Sequence, residues 1–508
     1  MSFLNHFAFR NPNREHLARH RSEHFHLEPR LSTAHAHGFQ EKHLTIQHLQ
    51  LAFHTTDADQ YMARLVWPID QFHSDISMAH SHIKNTVTYR FPIPRRCCIS
   101  LNLFRLTIRP SYFPFHEGKL GGFWSELGAV FGIYIHIPFC RTACHYCDFH
   151  FSTQLDQLEE MEEALMRELL WRGTGVSEEI STVYFGGGTP SLFPEEGLER
   201  MMHAIQSISS TKKEVTLEAN PEDITSEKLD VWLKMGVTRL SIGVQTFDDS
   251  ILSWMNRAHT GDTAETAIRM AAEAGFQHIT GDLIYGLPDR PAPAWERDID
   301  RMLDLPIDHL SAYILTIEPK TALGHQVKQG KQNTASDEAV VAAYQTLCSR
   351  TQTAGFEHYE VSNFARPGGH ATHNRNYWKG IPFWGIGPGA HGFDGTNRYA
   401  HVSNNRRYVK AIQQATSLLD IPLEVDVLQT SDRFNERVMT GLRTMEGINP
   451  EQLHAVYGRD PRTADAQAWQ SAVLKRELIQ LPNGSFRIPE DNWLFADAIA
   501  SEFFWVND

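Results

Sequence analysis

Six cysteines in 508 residues are too few for a disulfide-built scaffold, and Cys97, Cys98 and Cys348 have no partner in a CxxC pair. Long apolar runs are missing too: no window approaches the ~18 consecutive apolar residues of a membrane-spanning helix. Residues 1–30 mix His, Arg and Glu where an export signal would carry an apolar core. The expectation is a cytoplasmic protein without a transmembrane segment, with peripheral membrane contact left open. Basic charge is in deficit, 47 Lys and Arg against 61 Asp and Glu. An acidic body repels phosphate backbones, so nucleic acid is not expected as a partner. The 41% of apolar residues suffices for the cores of two or three domains and excludes disorder and collagen.

The charge is unevenly spread. Residues 1–130 hold 14 Lys and Arg, 10 Asp and Glu and half of the 28 histidines, whereas residues 131–508 hold 33 basic and 51 acidic side chains. Three segments are therefore expected: a His-rich extension of doubtful structure (1–130), a core (131–420) and a C-terminal domain (421–508). In the extension, LARHRSEHFHLEPRLSTAHAHGFQEKHL keeps neither a helical nor a strand period. Histidines ligate metals, but His24, His26, His35 and His37 have no fixed ligand geometry around them, and no metal site is expected there. All recognisable pattern starts at Gly132, so a native start near Val130, from a GTG codon, is the expectation; the intact mass of the protein made from its own gene decides it.

From Gly132, β-rich runs alternate with amphipathic stretches. GIYIHIP, STVYFGG, EVTLEAN, RLSIGVQTF, HITGDLIYGLP and HLSAYILTIEP read as six strands, and Leu158, Met161, Leu165 and Leu169 before Gly173 keep helical spacing. Repeated βα units predict an α/β fold with a parallel sheet, as a barrel or open barrel, whose site lies at the carboxyl ends of the strands. Gly186-Gly187-Gly188-Thr189, Glu218-Ala219-Asn220-Pro221, Gln245-Thr246 and Asp282 gather there.

Directly after the first run comes Cys140-Arg141-Thr142-Ala143-Cys144-His145-Tyr146-Cys147-Asp148-Phe149. Three thiolates spaced CxxxCxxC can wrap one soft metal centre. A zinc site of four cysteines would need its fourth ligand from Cys348, Cys97 or Cys98. Three thiolates on an iron–sulfur cubane leave one iron open for another ligand.

CxxxCxxC with an aromatic before its last cysteine, on the loop after the first strand of a βα barrel and followed by GGGTP, resembles the radical S-adenosylmethionine (SAM) enzymes. That resemblance implies a partial (β/α)6 barrel and a [4Fe-4S] cluster on Cys140, Cys144 and Cys147. In those enzymes SAM binds the fourth iron, and the reduced cluster cleaves it to methionine and a 5′-deoxyadenosyl radical. A bare backbone at Gly186 to Thr189 suits a small zwitterion, and it also suits a tight turn. A side chain at Gly187 or Gly188 is accordingly expected to block SAM and spare the cluster.

IYIHIPFC, YFGGGTPS, LEANP, SIGVQTF, NRAH, GDLIYGLP, HYEVSNFA, HNRNYW and GIGPGAHGF are similar to the anaerobic coproporphyrinogen III oxidase group, HemN and its relative HemW, over nearly all of residues 132–508. The likeness implies SAM contacts from Tyr134, Tyr146, Gly187, Gly188, Thr189, Glu218, Gln245, Arg257 and Asp282. HemN-type dehydrogenases carry a further cysteine where this chain has Phe149, so the CDF form resembles the HemW branch. His373-Asn374-Arg375-Asn376-Tyr377-Trp378 resembles the HNxxYW motif of that branch, whose histidine is implicated in haem binding; Tyr377, Trp378, Phe383 and Trp384 are candidates for an apolar wall. The implied activity is a haem chaperone that passes haem to an acceptor protein. The alternative is oxygen-independent decarboxylation of coproporphyrinogen III. If SAM is cleaved, an electron donor such as flavodoxin or ferredoxin is implied. RFNERVMTGLRTM and AWQSAVLKREL read as helices and LIQLPNGSFRIP as a hairpin, which predicts a small winged-helix-like α+β C-terminal domain acting as a lid or docking module.

Overall fold

The computed structural model describes residues 130–506 apart from 175, 177 and 210–212. The His-rich extension, its four singled-out histidines, Cys97 and Cys98 lie outside the described residues.

Six parallel strands run side by side in chain order: β1 (Val130–Ile137), β2 (Glu179–Gly187), β3 (Glu214–Ala219), β4 (Arg239–Gln245), β5 (His278–Tyr285) and β6 (His309–Ile314). The connections carry α1 (Leu158–Gly173), α2 (Glu195–Ile208), α3 (Ser226–Met235), α4 (Asp249–Trp254), α5 (Gly261–Ala274) and α6 (Ala292–Leu303). This is the expected partial (β/α)6 barrel. The helices end where the chain supplies a stop: at Gly236, after α3, the backbone turns left-handed with φ 90°, a conformation that glycine adopts without strain.

Successive side chains of a strand point to opposite faces. On one face, Ile133 and Ile135 of β1, Val183 and Phe185 of β2, Leu217 of β3 and Leu240 of β4 pack with Leu165, Met201, Trp232 and Ile268 of the helices in a fully apolar core. The other face is polar and nonetheless buried: Thr182, Glu214, Thr216, Arg239, Ser241, Thr280, His309 and Ser311 all lie on it. Buried polar groups persist only when bonded or when a ligand needs them.

The sheet extends on both flanks and stays open. After β6 come α7 (Ala322–Lys328), α8 (Asp337–Thr353), β7 (Glu357–Glu360) and β8 (Asn363–Ala365), with β8 antiparallel to β6. The HNRNYW segment forms α9 (Thr372–Trp378), and β9 (Phe383–Ile386) then pairs in parallel with β1. β10 (His391–Phe393) and β11 (Arg398–His401), α10 (Asn405–Gln414) and β12 (Leu423–Asp426) complete a 12-stranded sheet. The expected boundary at residues 420–421 thus precedes β12, the edge strand of this sheet. Beyond it are α11 (Thr430–Leu442), α12 (Pro450–Tyr457), α13 (Pro461–Ala464), α14 (Ala466–Leu474), the hairpin β13 (Ile479–Gln480) and β14 (Phe486–Arg487), and α15 (Ala496–Ser501). The two helices and the hairpin expected in this segment are all present.

α9 is pinned at the amino ends of β3 and β4. The Glu214 carboxylate accepts from the backbone N–H of Thr372 (3.0 Å) and His373 (2.8 Å) and from Arg239 Nε (3.1 Å), and Arg239 also donates to the Gly369 carbonyl (2.9 Å).

Candidate functional site

The carboxyl ends of the strands open into a cleft of about 1040 Å³, partly continuous with solvent. Cys140, Cys144 and Cys147 line it, together with Tyr146, Gly187, Gly188, Thr189, Glu218, Gln245, Arg257 and Asp282. Residues spread over more than a hundred positions therefore line one cleft. Tyr134 and His373 do not line the cleft.

The cysteine loop is pinned at its base and along its length. Ser152 N–H donates to the Pro138 carbonyl (2.8 Å) and Cys140 N–H to the Ser152 carbonyl (3.0 Å). Asn256, at the end of α4, donates to the Ala143 carbonyl (2.8 Å), and Leu323 N–H of α7 donates to that of His145 (2.8 Å). Asn256 holds a left-handed backbone with φ 61°, and Gln245, inside the cleft, one with φ 67°. Such strain in non-glycine residues persists where the surroundings impose it, commonly at functional sites.

The sulfurs sit among donors: Thr189 Oγ1 reaches Cys140 Sγ at 3.4 Å and Arg257 Nη1 reaches Cys144 Sγ at 3.7 Å. Arg257 Nη2 also donates to Asn220 Oδ1 and to the Gly243 carbonyl, both at 2.8 Å. Without a cation Cys140 and Cys147 stay protonated. Burial pushes Cys140 up to about 11 and Cys147 up to about 12, and the charge of Cys144 opposes ionisation of both. A bound iron centre reverses this, since coordinated thiols lose their protons outright. The donor set, three cysteines lining one cleft with side-chain donors at Cys140 and Cys144, fits a [4Fe-4S] cluster.

Two carboxylates lie deeper. Glu218 accepts from Tyr184 Oη (2.7 Å) and from Gly187 N–H (3.1 Å), and burial raises its pKa. Burial also pushes Asp282 up to about 7, with the charge of Glu218 adding to the effect, while Ser241 Oγ donates to it at 3.3 Å. A cationic or polyhydroxylic ligand would relieve both. The GGGTP turn behaves differently from expectation. A Cβ added at Gly188 would stand 2.6 Å from the Phe139 carbonyl oxygen and 2.8 Å from its nitrogen, and Gly187, at φ 117°, faces the His136 ring. The close approach that glycine permits here is to the chain's own cysteine loop, so a side chain at Gly188 disturbs the cluster loop before it meets a ligand.

Sequence reasoning placed Asn220 at a strand end without its part in bracing Arg257 and Thr189, and missed Ser241 and Tyr313 on the inner face of the barrel. The available signal was the period of two: Arg239, Ser241, Gly243 and Gln245 on β4, and His309, Ser311 and Tyr313 on β6, are alternate residues.

Tyr134 is buried on the inner face, stacked on Tyr184 (5.9 Å) and bonded to His136 Nδ1 (3.1 Å). His373 is only 2% exposed. Its Nδ1 pairs with Thr182 Oγ1 (2.7 Å) and its Nε2 with Tyr377 Oη (2.9 Å), so both ring nitrogens are engaged. Burial lowers its pKa to about 3, keeping the ring neutral. Of the four aromatics expected to form a wall, Tyr377, Trp378 and Phe383 cluster with Tyr134 and Tyr184, while Trp384 turns to the opposite face of β9 and packs on Phe131 (4.7 Å).

Residues 134–302 match the family model of the Radical SAM superfamily. The heme chaperone HemW of Bacillus subtilis (strain 168) is 35% identical over 331 residues, 64% of this chain and 86% of the relative. That of Mycobacterium tuberculosis (strain CDC 1551 / Oshkosh) is 36% identical over 348 residues, 66% of this chain and 87% of the relative. In fold, the chain is similar to coproporphyrinogen III oxidase (HemN) from Escherichia coli, a radical SAM enzyme, with a TM-score of 0.64 at 20% identity over 74% of this chain and 90% of that one. With the similarity to the HemW proteins extending over more than four-fifths of their length and the cysteine loop standing at the strand ends of the same barrel, the chain belongs to the HemW family of radical SAM proteins.

Proposed function

We propose that this protein is a haem chaperone: it binds haem, hands it to an acceptor protein, and carries a SAM-ligated [4Fe-4S] cluster on Cys140, Cys144 and Cys147. The observation that carries this reading is the identity of 35% with a protein named heme chaperone over 86% of that protein's length. It is supported by Phe149, which lines the cleft where the dehydrogenase pattern has a further cysteine. A cluster with SAM supplies one-electron chemistry when bound. The chain's own residues do the rest. Gln245, Arg257, Glu218 and Asp282 bind the polar edges of SAM, Thr189 and Arg257 donate toward the sulfurs, and Tyr146 closes the cleft beside the loop.

In this reading His373 works through Tyr377. Since both imidazole nitrogens are bonded inside the barrel, the ring holds the Tyr377 hydroxyl in place. His373→Ala is expected to weaken haem binding while cluster content and SAM binding stay unchanged, and Tyr377→Phe, which deletes the bonded hydroxyl, is expected to reproduce the loss. Haem titration by absorbance, with iron and sulfide analysis of the same samples, tests this; unchanged haem affinity in both variants removes the pair from the haem site.

A further inference from the structure

A second cavity, of about 880 Å³ and partly open to solvent, lies between the carboxyl-terminal end of α9 and helices α11 and α12. It is distinct from the SAM cleft and shares no lining residue with it. One wall is apolar, with Tyr377, Phe393, Leu453 and Tyr457; the other carries Lys379, Arg433 and Arg437. Among the described residues, none of these three cations has a carboxylate in salt-bridge contact. The cavity's own acid, Glu436, is held in a two-pronged pair by Arg398 at 2.7 and 3.0 Å, and nearby Glu446 is taken by Arg375. Among the described residues, Arg437 donates only to the Trp378 carbonyl (2.8 Å), and Arg433 Nε is buried without a hydrogen-bond partner. Burial pulls Arg437 below its ordinary pKa, and burial with repulsion from Arg375 and Arg437 does the same to Lys379, in both cases against a partial attraction by Glu446.

Three like charges converging on a partly buried space repel one another and forgo solvation, an arrangement that an anion relieves. Guanidinium forks match a carboxylate, and the aromatic and aliphatic wall matches a flat apolar body. We propose that this cavity is a binding site for an amphipathic carboxylate, with the propionate edge of haem at Lys379, Arg433 and Arg437 and its ring plane along Tyr377, Leu453 and Tyr457. The choice of haem among amphipathic carboxylates rests on the chaperone reading. Tyr377 belongs to this wall and is the partner of His373, so the HNRNYW segment meets the cavity through its tyrosine.

The test titrates the full chain with haem, with iron-free protoporphyrin IX and with protoporphyrin IX dimethyl ester, in wild type, Arg433→Gln and Arg437→Gln. Each charge-assisted bond lost should weaken haem and the free diacid about tenfold or more, and leave the weaker ester binding unchanged. Arg433→Gln removes no hydrogen bond made by Nε, so it keeps the test valid if Arg437→Gln, which frees the Trp378 carbonyl, fails to fold. Wild-type haem affinity in the folded variants overturns the cavity assignment and leaves the chaperone reading standing. Absence of haem binding by wild type overturns the chaperone reading instead, and dodecanoate then decides the cavity: arginine-dependent dodecanoate binding retains it as an amphipathic-carboxylate site, and no binding overturns it.

Discussion

Asp282 shows what the cleft does to a single residue. Its folded pKa, about 7, stands above the ordinary carboxylate value, so the ionised form opposes folding. The penalty is absent below about pH 4, grows as pH rises and levels off near pH 7, where it reaches at most about 4 kcal/mol. Asp282→Asn is therefore expected to raise the melting temperature of the cofactor-free protein at pH 8, to raise it little at pH 4, and to weaken SAM binding. Equal melting temperatures across that range would show that the carboxylate is not strained. The cysteines give a second test at this scale. Cys144→Ala should lose the cluster by iron and sulfide analysis, whereas Cys348→Ala should keep it, because Cys348 stands on α8 beside His358 and outside the cleft. The three cluster cysteines, Thr189 and Glu218 were legible in the sequence because a motif or a strand end marked each. The double engagement of His373 was not, since Thr182 lies 191 positions away and only folding brings the two together.

Among the elements, the six core strands were legible from their β-branched runs and the helices between them from their spacing and glycine stops. The flanking strands β7 to β12 were not. All six have only three or four residues, too few for a period to emerge, and β9 owes its place to pairing with β1. The position of α9 depends on Glu214 and Arg239, two charges buried at the strand starts with side-chain exposures of 5% and 2%. Removing one partner leaves the other buried and unpaired. Glu214→Ala is expected to destabilise the fold by about 3–5 kcal/mol, measured by denaturant unfolding, and to impair haem binding through displacement of α9. At the GGGTP turn, Gly188→Ala is expected to reduce cluster incorporation as well as SAM binding, because the added methyl meets the backbone of Phe139. Full cluster occupancy with impaired SAM binding would instead point to contact with the ligand alone.

Across the whole molecule, an acidic chain organises two separate cavities around one sheet. The cleft lined by the three motif cysteines sits at the carboxyl ends of β1 to β6, and the cationic cavity sits where α9 meets the C-terminal helices. Glu218, Tyr184, His373 and Tyr377 lie in sequence between them, joined by a bond of 2.7 Å, a ring contact of 5.2 Å and a bond of 2.9 Å. The parts were visible in the sequence as separate motifs; their alignment along the inner face was not, because it arises from the curvature of the sheet. On the chaperone reading proposed above, this architecture serves haem delivery rather than porphyrinogen decarboxylation. Anaerobic incubation of the reconstituted protein with reductant, SAM and coproporphyrinogen III, beside a haem titration of the same preparation, tests it most directly. Saturable haem binding and no protoporphyrinogen are expected; protoporphyrinogen formed in many turnovers, with no haem bound, would assign the chain to decarboxylation instead.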